Sequence, residues 1–346
     1  MPIELVGDQK EIRVWQYHQL QDFIAGLAKE AAGKRSPLQV NDLEGLRAWQ
    51  AANRPLIERA LGWPAPIPEY EPQLISDEEI GSDELVRSIR RMTIRVAEGL
   101  DVYGILLLPH RENPKLMLCF HGGIGCPELV TSVCDSTNYN DGARRFVELG
   151  YAVFAPLFVL RREEEIEPDW PADYRVALHM NALWAGTTVL AIELAKAERA
   201  LKFFDTYPGV DASEAGVAGL SYGGYFALYA AALIPRITFS VSSCYFNDRL
   251  EFLVTKPASI LDWKYPGAGA LFTDVEIAAL ICPRPLYIEA GQRDELMDVE
   301  GAKREAEKVR AIYEACGAGK EFFFDPFDGV HEFNLSHIGE FFRGRL

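Results

Sequence analysis

The run Val217-Ala-Gly-Leu-Ser-Tyr-Gly-Gly224 limits the fold of this chain more than any other segment. An apolar strand over residues 215–218 leads into it, and a helix of small residues over 222–233 leads out. The core pattern is Gly219-x-Ser221-x-Gly223. A serine on such a tight strand-to-helix turn is held where it can attack a carbonyl. The glycines remove the side chains that would collide where strand meets helix. Five residues alone also fit a glycine-rich turn with an incidental serine, so the rest of the chain must decide.

Around this turn, short apolar runs alternate with helical patterns. Strands are expected at 116–120, 152–155, 215–218, 237–244, 286–290 and 321–324, with helices at 141–149, 183–204, 222–233 and 299–316 between them. Such alternation implies βαβ units and a mostly parallel central sheet with helices on both faces. Before it, residues 86–96 and 102–108 flank the turn Ala97-Glu-Gly-Leu-Asp101, which predicts an antiparallel hairpin at the N-terminal edge of the sheet. This α/β domain is expected over 81–346. Residues 1–80 read as a helical N-terminal extension. Leu20, Phe23, Ile24 and Leu27 recur at helix spacing, and a second pattern runs from Leu43 to Leu61. Pro64, Pro66, Pro68 and Pro72 then break it. The extension is expected to pack on the main domain or on a partner subunit, which leaves a homo-oligomer open.

The chain has 346 residues, 49% of them hydrophobic, and a formal charge of −16. That acidity argues against nucleic acid and anionic membrane as partners, since both call for basic patches. The longest apolar stretches are of strand length, so no membrane span is expected. The opening Met-Pro-Ile-Glu-Leu-Val-Gly-Asp has no basic region followed by an apolar core, as a secretory signal would. The six cysteines lack the regular spacing of a disulfide framework, although Cys126 and Cys134 share a loop. Reduced thiols in a cytoplasmic protein are the expectation. No His/Cys/Asp cluster has metal spacing, so no metal and no cofactor is expected.

A serine hydroxyl needs a base to take its proton. Of six histidines, His331, in Phe327-Asp-Gly-Val-His-Glu-Phe333, follows the last apolar strand on a Gly-containing loop. His337 is its rival. The histidine in turn needs an acceptor that fixes its tautomer. Asp294 lies past the carboxyl end of the strand at 286–290, with Glu289, Glu295, Asp298 and Asp248 as alternatives. Parallel strands bring their carboxyl ends to one rim, so Ser221, Asp294 and His331 are expected to converge. Their order along the chain is that of α/β-hydrolases. The oxyanion formed by attack would be met by the backbone N–H of Tyr222 and by one from the loop His121-Gly-Gly-Ile-Gly125, with Gly123 first and Ile124 second. His121 is expected to brace that loop.

The segment from Leu271 to Asp294, with Ile-Cys-Pro-Arg-Pro-Leu-Tyr-Ile-Glu-Ala-Gly-Gln-Arg-Asp294 at its end, resembles the acetyl xylan esterase-like and dienelactone hydrolase-like branch of the α/β-hydrolases. So do Ser243-Cys-Tyr-Phe-Asn247 and Asp328-Gly-Val-His331. The resemblance runs from about residue 85 to the C-terminus. It implies the α/β-hydrolase fold and hydrolase activity, with Ser221 as nucleophile, Asp294 as acid and His331 as base. The sequence departs from that branch at Ile124, which interrupts the glycine stretch, and in lacking a proline after Asp294. The reading is a serine esterase acting on carboxylic esters of a small molecule or carbohydrate, with short acyl groups such as acetyl. A peptidase or amidase on the same fold and a catalytically inactive binding module are the alternatives. Trp170, Trp184, Tyr245, Phe246 and Trp263 follow strand ends and are expected to line the substrate pocket.

Overall fold

The structure is a computed structural model and describes residues 9–35, 38–135, 137–158, 174–252 and 261–343. Among them are nine strands: β1 (Gln73–Gly81), β2 (Val86–Ala97), β3 (Leu100–Pro109), β4 (Lys115–Phe120), β5 (Ala152–Pro156), β6 (Asp211–Leu220), β7 (Ile237–Ser243), β8 (Leu286–Glu289) and β9 (Phe322–Asp325). They form one sheet ordered β1-β2-β3-β5-β4-β6-β7-β8-β9. The pairs β1–β2, β2–β3 and β3–β5 are antiparallel, and every pair from β5 to β9 is parallel. The hairpin β2–β3 forms where the sequence places it. It is not the outermost element, because β1 adds a further antiparallel strand outside it.

Ten α-helices among the described residues accompany the sheet: α1 (Gln9–Lys34), α2 (Leu43–Leu61), α3 (Pro127–Val130), α4 (Gly142–Glu148), α5 (Tyr174–Trp184), α6 (Val189–Phe204), α7 (Tyr222–Leu233), α8 (Asp274–Ile281), α9 (Val299–Ala315) and α10 (Ile338–Phe342). Strand β4 shows how the two faces are filled. Leu116, Leu118 and Phe120 point into a core shared with α2, α6, α7, α8 and α9, while Met117 and Cys119 point into a second core with α4 and α10. Successive strand residues face opposite sides, so a strand covered on both sides is apolar throughout. Fully burying each of these side chains stabilises the fold by about 2 kcal/mol.

The expected domain boundary after residue 80 falls inside β1, which is hydrogen-bonded to β2 along its length. The helix before it is also tied to the body. Leu46, Ile57 and Leu61 of α2 are buried in the main core. Gln50 Nε2 donates to the carbonyls of Ala279 (2.7 Å) and Cys282 (2.8 Å), and Arg54 Nη1 donates to Ala232 O (2.7 Å). These side chains satisfy carbonyls left open at the ends of α7 and α8.

The register brings the functional ends of the parallel strands level. Leu220 pairs with Ser243, Ser243 with Glu289, and Glu289 with Asp325. The chain therefore leaves β6, β7, β8 and β9 at one rim. The glycines of the serine motif explain how close the packing is there. A Cβ on Gly223 would stand 2.1 Å from Phe120 O, and one on Gly219 would stand 2.3 Å from Gly223 C. Both obstacles are backbone and cannot swing aside. Gly223→Ala is therefore expected to destabilise the protein by about 3 kcal/mol, the upper end for overpacking. Urea unfolding would measure this, and an unchanged midpoint would contradict the close approach of α7 to β4.

Candidate active site

Ser221 sits between β6 and α7 with φ 58° and ψ −114°. This is a positive-φ conformation that a residue with a side chain adopts only when its surroundings enforce it, at a cost of about 1–3 kcal/mol. Two backbone bonds do so. Ser221 N–H donates to Ser243 O (2.8 Å), and Tyr225 N–H donates to Ser221 O (2.9 Å). Tyr222 opens α7. Its phenol donates to Asp262 Oδ1 (3.0 Å), while Arg175 grips the same carboxylate at Oδ2 (2.8 Å) and lies 4.9 Å over the Tyr222 ring. Arg175 and Asp262 are both buried. Such a pair fixes position more than it adds stability, since desolvation offsets its attraction. Here it locks the residue that follows the serine.

The glycine-rich loop after β4 lies against the serine. A Cβ on Gly122 would be 3.8 Å from Ser221 Cβ. Gly122 N–H donates to Tyr139 Oη (2.8 Å). The ring of His121 is buried and braces this loop. Phe158 N–H donates to His121 Nε2 (3.1 Å), so the proton resides on Nδ1 and points to Gly122 O (2.9 Å). Burial lowers the His121 pKa to about 4, which keeps it neutral. Gly123 and Ile124 form the turn at the tip of the loop, Gly123 half-buried and Ile124 65% exposed.

His331 and Asp294 meet across two loops. His331 Nδ1 is 2.7 Å from Asp294 Oδ2. The other carboxylate oxygen, Asp294 Oδ1, accepts the N–H groups of Leu296 (2.8 Å) and Met297 (3.0 Å). All the acceptor capacity facing these groups is thus assigned, and the carboxylate has one orientation. The side chain of Asp294 is buried, while that of His331 keeps 17% exposure. The loops abut closely, since a Cβ on Gly291 would be 2.3 Å from Val330 O. The backbone around His331 is fastened on both sides: Asn138 Nδ2 donates to His331 O (2.9 Å), and Ser243 Oγ donates to Glu332 O (3.2 Å).

The alternatives occupy other places. His337 Nδ1 pairs with Asp325 Oδ2 (2.8 Å), which also accepts the Tyr287 phenol (2.6 Å), and the hydrogen bond from Asp325 raises the His337 pKa. Asp298 caps α9 through the N–H groups of Glu300 and Gly301. Asp248 accepts Glu251 N–H (3.1 Å). Glu289 has a role the sequence did not suggest. Its fully buried carboxylate accepts the N–H groups of Asn334 and Leu335, each at 2.9 Å, and so anchors the segment that follows His331. Only its place at the end of β8, level with Ser243, hints at this.

Burial raises the Glu289 pKa from 4.5 to about 7. Unfolded, the group releases its proton near 4.5; folded, it holds the proton to about 7. The folded state therefore gains from this group below 4.5, and the gain is lost as pH rises to about 7. The stability advantage of wild type over Glu289→Gln is accordingly expected to shrink across that window. Denaturant titrations of both proteins at several pH values would show it, and a pH-independent difference would contradict it.

The expected substrate-pocket aromatics are corrected by their surroundings. Tyr245, Phe246 and Trp263 are core residues, each 2% exposed, and do not stand at a rim. Trp263 packs behind the serine turn, 4.9 Å from the Tyr222 and Tyr245 rings, and the Tyr245 phenol donates to Asp274 Oδ1 (3.2 Å). Trp184, at the end of α5, is 95% exposed. Trp170 lies outside the described residues. Cys126 and Cys134 are free thiols, as are the other four cysteines. Among the described residues, no helix is long and apolar enough to cross a membrane.

Residues 130–315 match the dienelactone hydrolase family. YtaP of Bacillus subtilis (strain 168), named as a hydrolase, is 31% identical over 121 residues, which are 34% of this chain and 40% of YtaP. The chain thus spans about two fifths of that relative. A Bacteroides fragilis structure named as an acetyl xylan esterase superposes with a TM-score of 0.70 at 17% identity, covering 88% of this chain and 81% of that one. A glucuronoyl esterase from Solibacter usitatus does so with a TM-score of 0.61 at 18% identity, covering 88% and 93%. These likenesses show the α/β-hydrolase fold, and the match over just over half of the sequence shows the kinship: the chain belongs to the dienelactone hydrolase family.

Proposed function

We propose that this protein is a serine esterase that cleaves carboxylic esters through an acyl-enzyme. The observation that carries the reading is the 2.7 Å contact between His331 Nδ1 and Asp294 Oδ2, on the same rim as a serine held at φ 58°. In this reading Ser221 Oγ attacks the ester carbonyl while His331 Nε2 takes its proton. Asp294 keeps the other ring proton on Nδ1 and stabilises the imidazolium. The N–H groups of Tyr222 and of Gly123 or Ile124 receive the oxyanion. Collapse of the tetrahedral intermediate breaks the ester C–O bond, and His331 returns the proton to the departing alcohol. Water then attacks the acyl-enzyme by the same path, releasing the acid and restoring Ser221.

The substrate class rests on kinship and fold. Structural neighbours are named for esters of carbohydrates, which supports a small-molecule or carbohydrate ester with a short acyl group. Six free thiols suit a reducing compartment, in line with a cytoplasmic enzyme. The test is intact-mass spectrometry after fluorophosphonate treatment, with a panel of short-chain nitrophenyl esters beside it. One adduct, absent in Ser221→Ala, with turnover of acetate or butyrate esters, is the expected result. No adduct and no turnover would overturn the esterase reading in favour of a binding module.

A further inference from the structure

One short segment touches both halves of the candidate site. It is Asn138-Tyr139-Asn140, between α3 and α4. Asn140 and the following Asp141 have φ of 48° and 55°, a left-handed bend that asparagine and aspartate tolerate better than most residues with side chains. Gly142 N–H donates to Tyr139 O (2.8 Å) across the bend, where α4 begins. The residues flanking Tyr139 hold the base loop. Asn138 Nδ2 donates to His331 O (2.9 Å), Phe333 N–H donates to Asn138 O (2.8 Å), and Asn140 Nδ2 donates to Glu332 Oε2 (2.9 Å). Tyr139 itself reaches the other loop. Its side chain is buried, and its phenol oxygen accepts Gly122 N–H (2.8 Å) in the glycine-rich turn after β4.

We propose that Tyr139 is the positioning residue of the oxyanion loop, and that its segment fixes the spacing between that loop and the base. The inference rests on the esterase reading. Two observations carry it. The first is where the phenol binds. Gly122 lies against the serine, since a Cβ on it would be 3.8 Å from Ser221 Cβ. Its N–H is committed to Tyr139, so the loop's oxyanion donor falls to Gly123 or Ile124. The second is Gly125, whose N–H donates to Gly122 O (3.1 Å) and closes the turn. A Cβ on Gly125 would stand 2.0 Å from Tyr139 Oη. The phenol oxygen therefore touches both ends of the turn that carries the donor, and only a residue without a side chain fits opposite it. Without that oxygen Gly122 N–H is buried with no acceptor, and the turn must shift to find one. An oxyanion donor acts only where it meets the developing charge, and a misplacement of about 1 Å costs about a hundredfold.

Tyr139→Phe removes the acceptor and keeps the ring. It is expected to lower kcat for a short-chain nitrophenyl ester by about 10- to 100-fold, with KM within about threefold of wild type. Butylboronic acid, which forms a tetrahedral adduct on a nucleophilic serine, is expected to bind more weakly by the same factor as kcat falls. Gly125→Ala drives a methyl group against the phenol oxygen and is expected to show the same split. In the double variant that oxygen is gone and the remaining neighbours, Tyr139 Cζ and His121 Cβ, are each 3.0 Å away. Its loss is therefore expected to equal that of Tyr139→Phe alone, not the product of the two. A merely structural role would lower the urea midpoint and leave kcat and boronate affinity of the folded protein unchanged. A folded Tyr139→Phe with kcat within threefold of wild type, losses that multiply in the double variant, or a change in KM alone would overturn the proposal. If Tyr139→Phe does not fold, Gly125→Ala decides by the same split between kcat and KM. Wild-type turnover with unaffected variants sinks the positioning role alone, whereas a wild type without fluorophosphonate adduct or turnover sinks the esterase reading and this role with it.

Discussion

Ser221→Ala is expected to lower kcat for a short-chain nitrophenyl ester by about 10⁶, as in measured serine hydrolases where the triad acts as a unit. The geometry gives the reason. The turn at Ser221 is kept strained by bonds from its own backbone: Ser221 N–H to Ser243 O at 2.8 Å and Tyr225 N–H to Ser221 O at 2.9 Å. Alanine keeps both bonds and the same positive φ, so the fold and the backbone of the oxyanion site are expected to persist. What is lost, in the proposed mechanism, is the oxygen that forms the acyl-enzyme. His331 then has no proton to take, and Asp294 orients a base with nothing to serve. The residual rate should come from backbone N–H groups acting on water attack, about 10³–10⁴ above the uncatalysed reaction. The measurement is kcat in both proteins with the variant's folding checked by its urea midpoint. A loss of less than a hundredfold in a folded variant would mean that Ser221 is not the nucleophile.

How far the sequence leads can be judged residue by residue. The serine turn was legible because Gly219 and Gly223 answer to backbone contacts that no other residue tolerates. The meeting of Asp294 with His331 was legible because parallel strands must deliver their ends to one rim. Strand β1 was not. Its residues Gln-Leu-Ile-Ser-Asp-Glu-Glu-Ile-Gly are mostly exposed and show no alternation. What holds it is a backbone ladder to β2, with ion pairs such as Arg90 to Asp77 at 2.6 Å, and neither depends on a hydrophobic pattern. The aromatic residues misled for a related reason. Position after a strand end suggested a rim, but Tyr245 and Trp263 turn inward to polar and ring partners distant in sequence. Glu289 reads as one more carboxylate in an acidic chain. Only burial and the two N–H groups of Asn334 and Leu335 reveal it as an anchor.

Asp294→Asn is expected to lower kcat by about 10⁴ while leaving the fold intact, and this structure supplies the mechanism of the loss. Asp294 Oδ1 accepts two backbone N–H groups, from Leu296 and Met297, so an asparagine must keep its carbonyl oxygen there. Its NH₂ group then occupies the place of Oδ2, 2.7 Å from His331 Nδ1. Two donors cannot face each other, so the imidazole must turn Nδ1 into an acceptor and carry its proton on Nε2. In the proposed mechanism that nitrogen takes the proton of Ser221. The base is therefore blocked by its own tautomer, and the side chain that stabilised the imidazolium has lost its charge as well. A flipped amide offers no escape, because it would set its NH₂ against the N–H groups of Leu296 and Met297. Nuclear magnetic resonance of the ring nitrogens should report protonated Nδ1 in wild type and protonated Nε2 in the variant, beside the measured fall in kcat. Turnover within tenfold of wild type would assign the acid to another residue. An unchanged tautomer with reduced turnover would place the effect in the lost charge alone.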